Sequence, residues 1–130
     1  MLFSRKIKVM CDTNTLMLLN EGVDIFTLIH QAMDDPYELY LHQTVLSELE
    51  RLMQEKSKRG FAAKLAYVIC KQKALKTIPA SLKQHPDDAL VEASRPKTTV
   101  IATQDKDLIK RLQAKGVRVL RYYKGRFHLQ

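Results

Sequence analysis

The chain has 130 residues, 45% of them hydrophobic and 28% charged, which is the composition and size of one globular domain spanning residues 1–130. Four Gly and four Pro exclude a low-complexity chain, two cysteines exclude a disulfide framework or a cysteine-ligated zinc site, and no apolar run reaches membrane-spanning length. The net charge of +8 is unevenly spread: residues 1–55 carry four basic and nine acidic side chains, residues 56–130 eighteen basic and five acidic.

The opening MLFSRKIKVMCD has no long apolar core and does not read as a leader. With Cys11 and Cys70 read as buried free thiols, it points to a reducing, cytoplasmic setting without membrane contact. The run IKVMC (7–11) reads as a buried strand ending at Asp12. Residues 14–20 and 23–33 have helical patterns, broken by Asp34, Asp35 and Pro36. ELYLH (38–42) is a second strand, and Val45, Leu46, Leu49, Leu52 and Met53 follow at helix spacing. Gly60 interrupts, and Phe61, Leu65, Val68 and Ile69 mark another helix. Residues 75–78 are a short third strand before Pro79.

Pro86 and the pair Asp87–Asp88 open a helix reaching about Arg95. TVIAT (99–103) is a β-branched strand, 107–115 is amphipathic, and Gly116 supplies its stop. Val117, Val119 and Leu120 form the last core strand, and Gly125 starts a small hairpin with Phe127 and Leu129. This alternation implies a three-layer α/β fold with a mainly parallel sheet. Ligands in such folds bind beyond the carboxyl ends of strands, so Asp12 and Asp105 should share one rim.

The acids of the basic half fall in two clusters, Asp87, Asp88 and Glu92, then Asp105 and Asp107. Each has an ordinary reading. Asp12 suits a helix N-cap, and Asp87 or Asp88 complements a helix dipole. Glu48 and Glu50 flank the Leu49 face symmetrically, so periodicity leaves both open. Adjacent acids in a cationic segment nevertheless exceed what capping needs. Clustered carboxylates suit Mg²⁺ or Mn²⁺, and surrounding cations suit a polyanionic substrate. Such a metal neutralises a phosphodiester and activates water.

The strings DTNTL (12–16), VLSELERL (45–52), DDALVEAS (87–94) and TQDKDL (103–108) resemble, in order, the four acidic motifs of PIN-domain nucleases. The C-terminal half is most similar to archaeal relatives of rRNA-processing PIN proteins, and to VapC-type toxins. The resemblance implies a PIN-like αβα fold with sheet order 3-2-1-4-5. It implies catalytic, metal-holding acids at Asp12, Glu48, Asp88 and Asp105, with Asp87 the neighbour of the third and Asp107 an accessory ligand. Asn14 would orient Asp12, and Thr103 would orient Asp105. The implied activity is Mg²⁺- or Mn²⁺-dependent endoribonuclease cleavage leaving a 5′-phosphate. Implied partners are RNA, an antitoxin or a pre-ribosomal assembly, and a second copy in a homodimer.

Lys97, Lys106, Lys110 and Arg111 are candidate phosphate contacts, as are Arg121, Lys124 and Arg126. Tyr122, Tyr123 and Phe127 among these could grip a single strand or close the core. His30, His42, His85 and His128 share no ligand spacing and read as structural, with His85 nearest to a motif. A non-catalytic RNA-binding subunit on the same fold is the alternative. A receiver-like signalling domain fits less well, because Cys11–Asp12 offers only one acid after the first strand.

Overall fold

The computed structural model describes residues 6–80 and 83–130; the opening MLFSR, part of the stretch read as lacking a leader, lies outside them. Strand β1 (Ile7–Cys11) leads into helix α1 (Thr13–Met17), a 3₁₀ turn (Leu18–Glu21) and helix α2 (Ile25–Ala32). Then follow β2 (Tyr37–His42), α3 (Gln43–Leu52), α4 (Lys58–Gln72) and β3 (Lys76–Ile78). The second half runs α5 (Pro86–Ala93), β4 (Thr99–Ala102), α6 (Lys106–Ala114), β5 (Arg118–Tyr123) and β6 (Arg126–Leu129).

The strands form one sheet in the order β3-β2-β1-β4-β5-β6. The first five are parallel, as expected, and β6 adds an antiparallel edge through the C-terminal hairpin. β1 and β4 lie at the centre, and β4 is buried along its whole length. A central parallel strand has both faces covered, which is why β4 reads as an apolar run without alternation, whereas β1 keeps one exposed residue, Lys8. Helices α1, α3 and α4 pack as one group, α2 packs on β6, α5 packs on α6, and α3 meets α5. Val9, Met10, Leu49, Leu90, Ile101, Leu112 and Val119 are among the fully enclosed core side chains. Cys11 and Cys70 are free and buried, as expected, and burial pushes both thiols up, Cys70 to about 11. No helix among the described residues is long and apolar enough to cross a membrane.

Two local expectations change. The helical pattern of residues 14–20 is interrupted: α1 stops at Met17, and the chain tightens into the 3₁₀ turn before Gly22 at φ 79°. Gly60 does not interrupt α4 but lies in its first turn, buried, where an added Cβ would stand 1.9 Å from the Glu55 carbonyl oxygen. The buried side of α4 is Gly60, Ala63, Ala66 and Cys70, so the helix packs closely through small residues. Phe61, Leu65 and Val68, whose spacing marked this helix, are exposed.

Candidate active site

Because β1 and β4 are adjacent and parallel, with Cys11 opposite Ala102, the residues after them emerge side by side at one rim. Asp12 follows β1 and caps α1: its Oδ1 accepts a 2.8 Å hydrogen bond from the Thr15 amide. Its Oδ2 accepts a short hydrogen bond from the Thr103 hydroxyl. That hydroxyl also accepts from the Asp105 amide at 3.1 Å, so one buried threonine fixes both rim acids. Asp105 in turn caps α6, accepting from the Leu108 amide at 3.0 Å. Thr103 therefore contributes more than expected, holding the Asp12 carboxylate directly and Asp105 through its backbone.

A concave site of about 250 Å³ is lined by Asp12, Thr13, Asn14, Glu48, Arg59, His85, Asp87 and Asp105. The structure thus brings Asp12, Glu48 and Asp105 together from β1, α3 and the start of α6. The third acid in this site is Asp87. Asp88 is half-exposed and pairs with Arg111 of α6 at 2.8 Å, outside the lining. Adjacent residues in a helix point about 100° apart, and Asp87 is the one whose direction meets the rim. Glu48, and not the exposed Glu50, lines the site, which resolves what helix periodicity left open. Asp107 is exposed in the first turn of α6 and is not among the lining residues. Asn14 lines the site, but the hydrogen bonds on Asp12 come from Thr15 and Thr103.

The electrostatics are those of crowded acids. Burial pushes the Asp12 carboxyl above its ordinary range; the Thr103 and Thr15 hydrogen bonds pull it down, and Asp105 raises it further. Asp87 is raised by burial; His85 opposes this, and Asp105, Asp12 and Glu48 add to it. Thr13 lines the same site with a buried hydroxyl that has no hydrogen-bond partner, the one such side-chain atom among the described residues. A buried polar atom without a partner beside repelling carboxylates fits a hydrated cation. No three His, Cys, Asp or Glu side chains among the described residues stand close enough to share one ion directly. An ion at this rim would therefore be held in part through water, as Mg²⁺ and Mn²⁺ are.

Three lining residues are not marked by the sequence as site groups: Thr13, with its buried hydroxyl, Arg59 and His85. Arg59, in the first turn of α4, brings a cation to the acids; nothing in the string KSKRG singles it out. His85 caps α5, its Nδ1 accepting from the Asp87 amide at 3.1 Å, and so aims the Asp87 turn. Gln104, which no sequence pattern marks, also supports the rim. It donates to the Thr15 hydroxyl at 3.1 Å and accepts from the Tyr122 amide, tying α1, β4 and β5 together at the rim.

The candidate RNA contacts divide by position. Arg121, Lys124 and Arg126 lie at the carboxyl end of β5 and its hairpin, on the side of the sheet end where the acids emerge. Arg121 lies over the Tyr123 ring, 5.7 Å from its centroid, and Tyr123 stacks on His128 at 3.8 Å. Tyr123 is exposed whereas Phe127 is buried, so these aromatics split between gripping surface and core. Lys106 and Lys110 are exposed on α6, and Arg111 is occupied by Asp88. Lys97 precedes β4 and therefore sits toward the opposite end of the sheet. His30 pairs with Tyr37, and His42 is buried as the cap of α3, structural roles as expected.

The PIN-like domain family matches residues 9–125, and the chain belongs to that family. Among solved structures, the PIN domain endonuclease Utp24 superposes with a TM-score of 0.78 at 24% identity, covering 95% of this chain and 90% of that one. A domain of a functionally unknown protein from Methanocaldococcus jannaschii superposes with a TM-score of 0.57 at 16% identity, covering 90% and 91%. Comparison with curated proteins finds no match.

Proposed function

We propose that the protein is a metal-dependent endoribonuclease. The observation that carries this reading is the convergence of Asp12, Glu48, Asp87 and Asp105 on one concave rim, beside Arg59 and an unpartnered Thr13 hydroxyl. These four acids would hold Mg²⁺ or Mn²⁺, directly or through water. Asp88, the neighbour expected from the motif, would instead brace α5 against α6 through Arg111. When bound, the ion supplies charge neutralisation at a phosphodiester and an acidified water.

The chain's own groups position the substrate. Thr103 and Thr15 hold Asp12 in one orientation, which preorganises the acids before RNA arrives. Arg59 presents a guanidinium where a phosphate enters. Arg121 and Tyr123 offer a charged, stacked edge for an unpaired strand. In the reaction a water oxygen bonds to phosphorus and the P–O3′ bond breaks, leaving a 5′-phosphate and a 3′-hydroxyl. The likeness in fold to the PIN domain endonuclease Utp24 supports the reaction class. A processing role predicts preference for structured ribosomal precursor RNA, and a toxin role predicts a small co-expressed protein that blocks the site. The test is cleavage of end-labelled RNA with chelator, then with Mn²⁺ or Mg²⁺, for wild type and a folded Asp12→Asn variant. Cleavage that survives chelator or the Asp12 change overturns the proposal.

A further inference from the structure

The outer face of α4 is the molecule's one large apolar surface without a partner among the described residues. Phe61, Leu65 and Val68 are 69%, 37% and 40% exposed; Tyr123 is the other exposed large hydrophobic residue described. Positions i, i+4 and i+7 of a helix stand above one another, so the three form a single ridge along two turns. Their exposure has a cause in packing. The inner face of α4 is small, with Gly60 against the Glu55 backbone and Ala63 and Ala66 fully buried, so the large side chains are turned outward. A contiguous apolar ridge left in solvent marks an interaction site more often than scattered single residues do.

Charge decides what fits it. From residue 56 to residue 86 the chain has eight basic side chains and no acidic one. Lys58, Lys64 and Lys71 border the ridge on α4 itself, and none of them forms an ion pair among the described residues. A second copy would bring two acid-free, cationic helices face to face, and like charges would oppose the contact. RNA would gain from the lysines, but Leu65 and Val68 have no ring on which a base could stack. A ridge at i, i+4, i+7 matches the anchor spacing by which helices pack on one another.

We propose that α4 is a docking surface for an acidic amphipathic helix of another protein, its apolar side against Phe61, Leu65 and Val68 and its carboxylates toward Lys58, Lys64 and Lys71. The inference does not depend on the nuclease reading. Its test is titration with a synthetic helix of about 20 residues carrying leucines at heptad spacing and flanking glutamates, observed by amide resonances. Expected is saturable binding centred on α4, weakened by salt and reduced at least about 10-fold in Phe61→Ser/Leu65→Ser. That variant keeps its helix content and its divalent-ion titration, because both residues face solvent and neither lines the acid site. Equal binding by wild type and variant, or by a scrambled peptide, overturns the proposal. So do a wild-type dimer abolished by the variant, and shifts at α4 produced by single-stranded RNA or anionic vesicles but not by the peptide.

Discussion

Thr103→Val tests the architecture of the rim. The substitution keeps the β-branched shape at a fully buried position and deletes only a hydroxyl. That hydroxyl donates to Asp12 and accepts from the Asp105 amide. A hydrogen bond to a charged group contributes about 1.5–3 kcal/mol, and the Asp105 amide, partly buried, adds up to about 1 kcal/mol when it loses its acceptor. The expected loss at pH 7 in chelator is about 1.5–4 kcal/mol, or a fall in Tm on the order of 10 °C for a chain of this size. The loss should depend on pH. Burial raises the Asp12 carboxyl, so the native state keeps a proton that the unfolded chain has already released, and stability falls as pH rises through that interval. The Thr103 bond lowers the Asp12 value and so opposes that fall. Its removal raises Asp12 further, and the cost of Thr103→Val should grow from acid to neutral pH. Urea denaturation at pH 4 and pH 7 reads the effect directly. A change within about 0.5 kcal/mol of wild type, or a cost independent of pH, refutes the claim that Thr103 holds the ionised Asp12.

Three further outcomes follow from the site and its supports. Asp87→Asn should lower metal-dependent RNA cleavage by about 100-fold or more, as loss of a metal-site group does, whereas Asp88→Asn should keep most activity and cost up to about 1 kcal/mol through its exposed Arg111 pair; parallel rate and melting measurements distinguish them. Asp12→Asn should raise the melting temperature in chelator near pH 8, by removing a buried charge that Asp105 repels, and should abolish the further rise that Mn²⁺ gives wild type, as read by thermal scans with and without the ion. Gly60→Ala, ordinarily favourable in a helix, should destabilise by about 1–3 kcal/mol because its methyl group meets the Glu55 backbone, as read from the urea midpoint.

Much of this molecule is legible without coordinates because its signals are local. IKVMC and TVIAT are strands by composition, Asp12 and Asp105 end up on one rim because both follow parallel strands, and Gly116 ends α6 at φ 81°. The alternation of elements determines the parallel sheet, and the four acidic motifs determine the family. Which member of an acidic pair faces the site is another matter, because it depends on how a helix is rotated against its neighbours. Asp87 and Asp88 are adjacent in the chain and the motif resemblance selects Asp88, but His85 and Pro86 start α5 at an angle that turns Asp87 toward the rim and leaves Asp88 to Arg111. Glu48 and Glu50 differ for the same reason. Helix α4 shows this most fully: hydrophobic spacing marks Phe61, Leu65 and Val68, but close packing through Gly60, Ala63 and Ala66 decides which side is inside. Arg59 reaches the acids by that same orientation. The amino-acid sequence by itself determined the strands, the rim and the family. Tertiary packing, which sets the rotation of each helix about its own axis, decided which carboxylates meet and which apolar face is left in solvent.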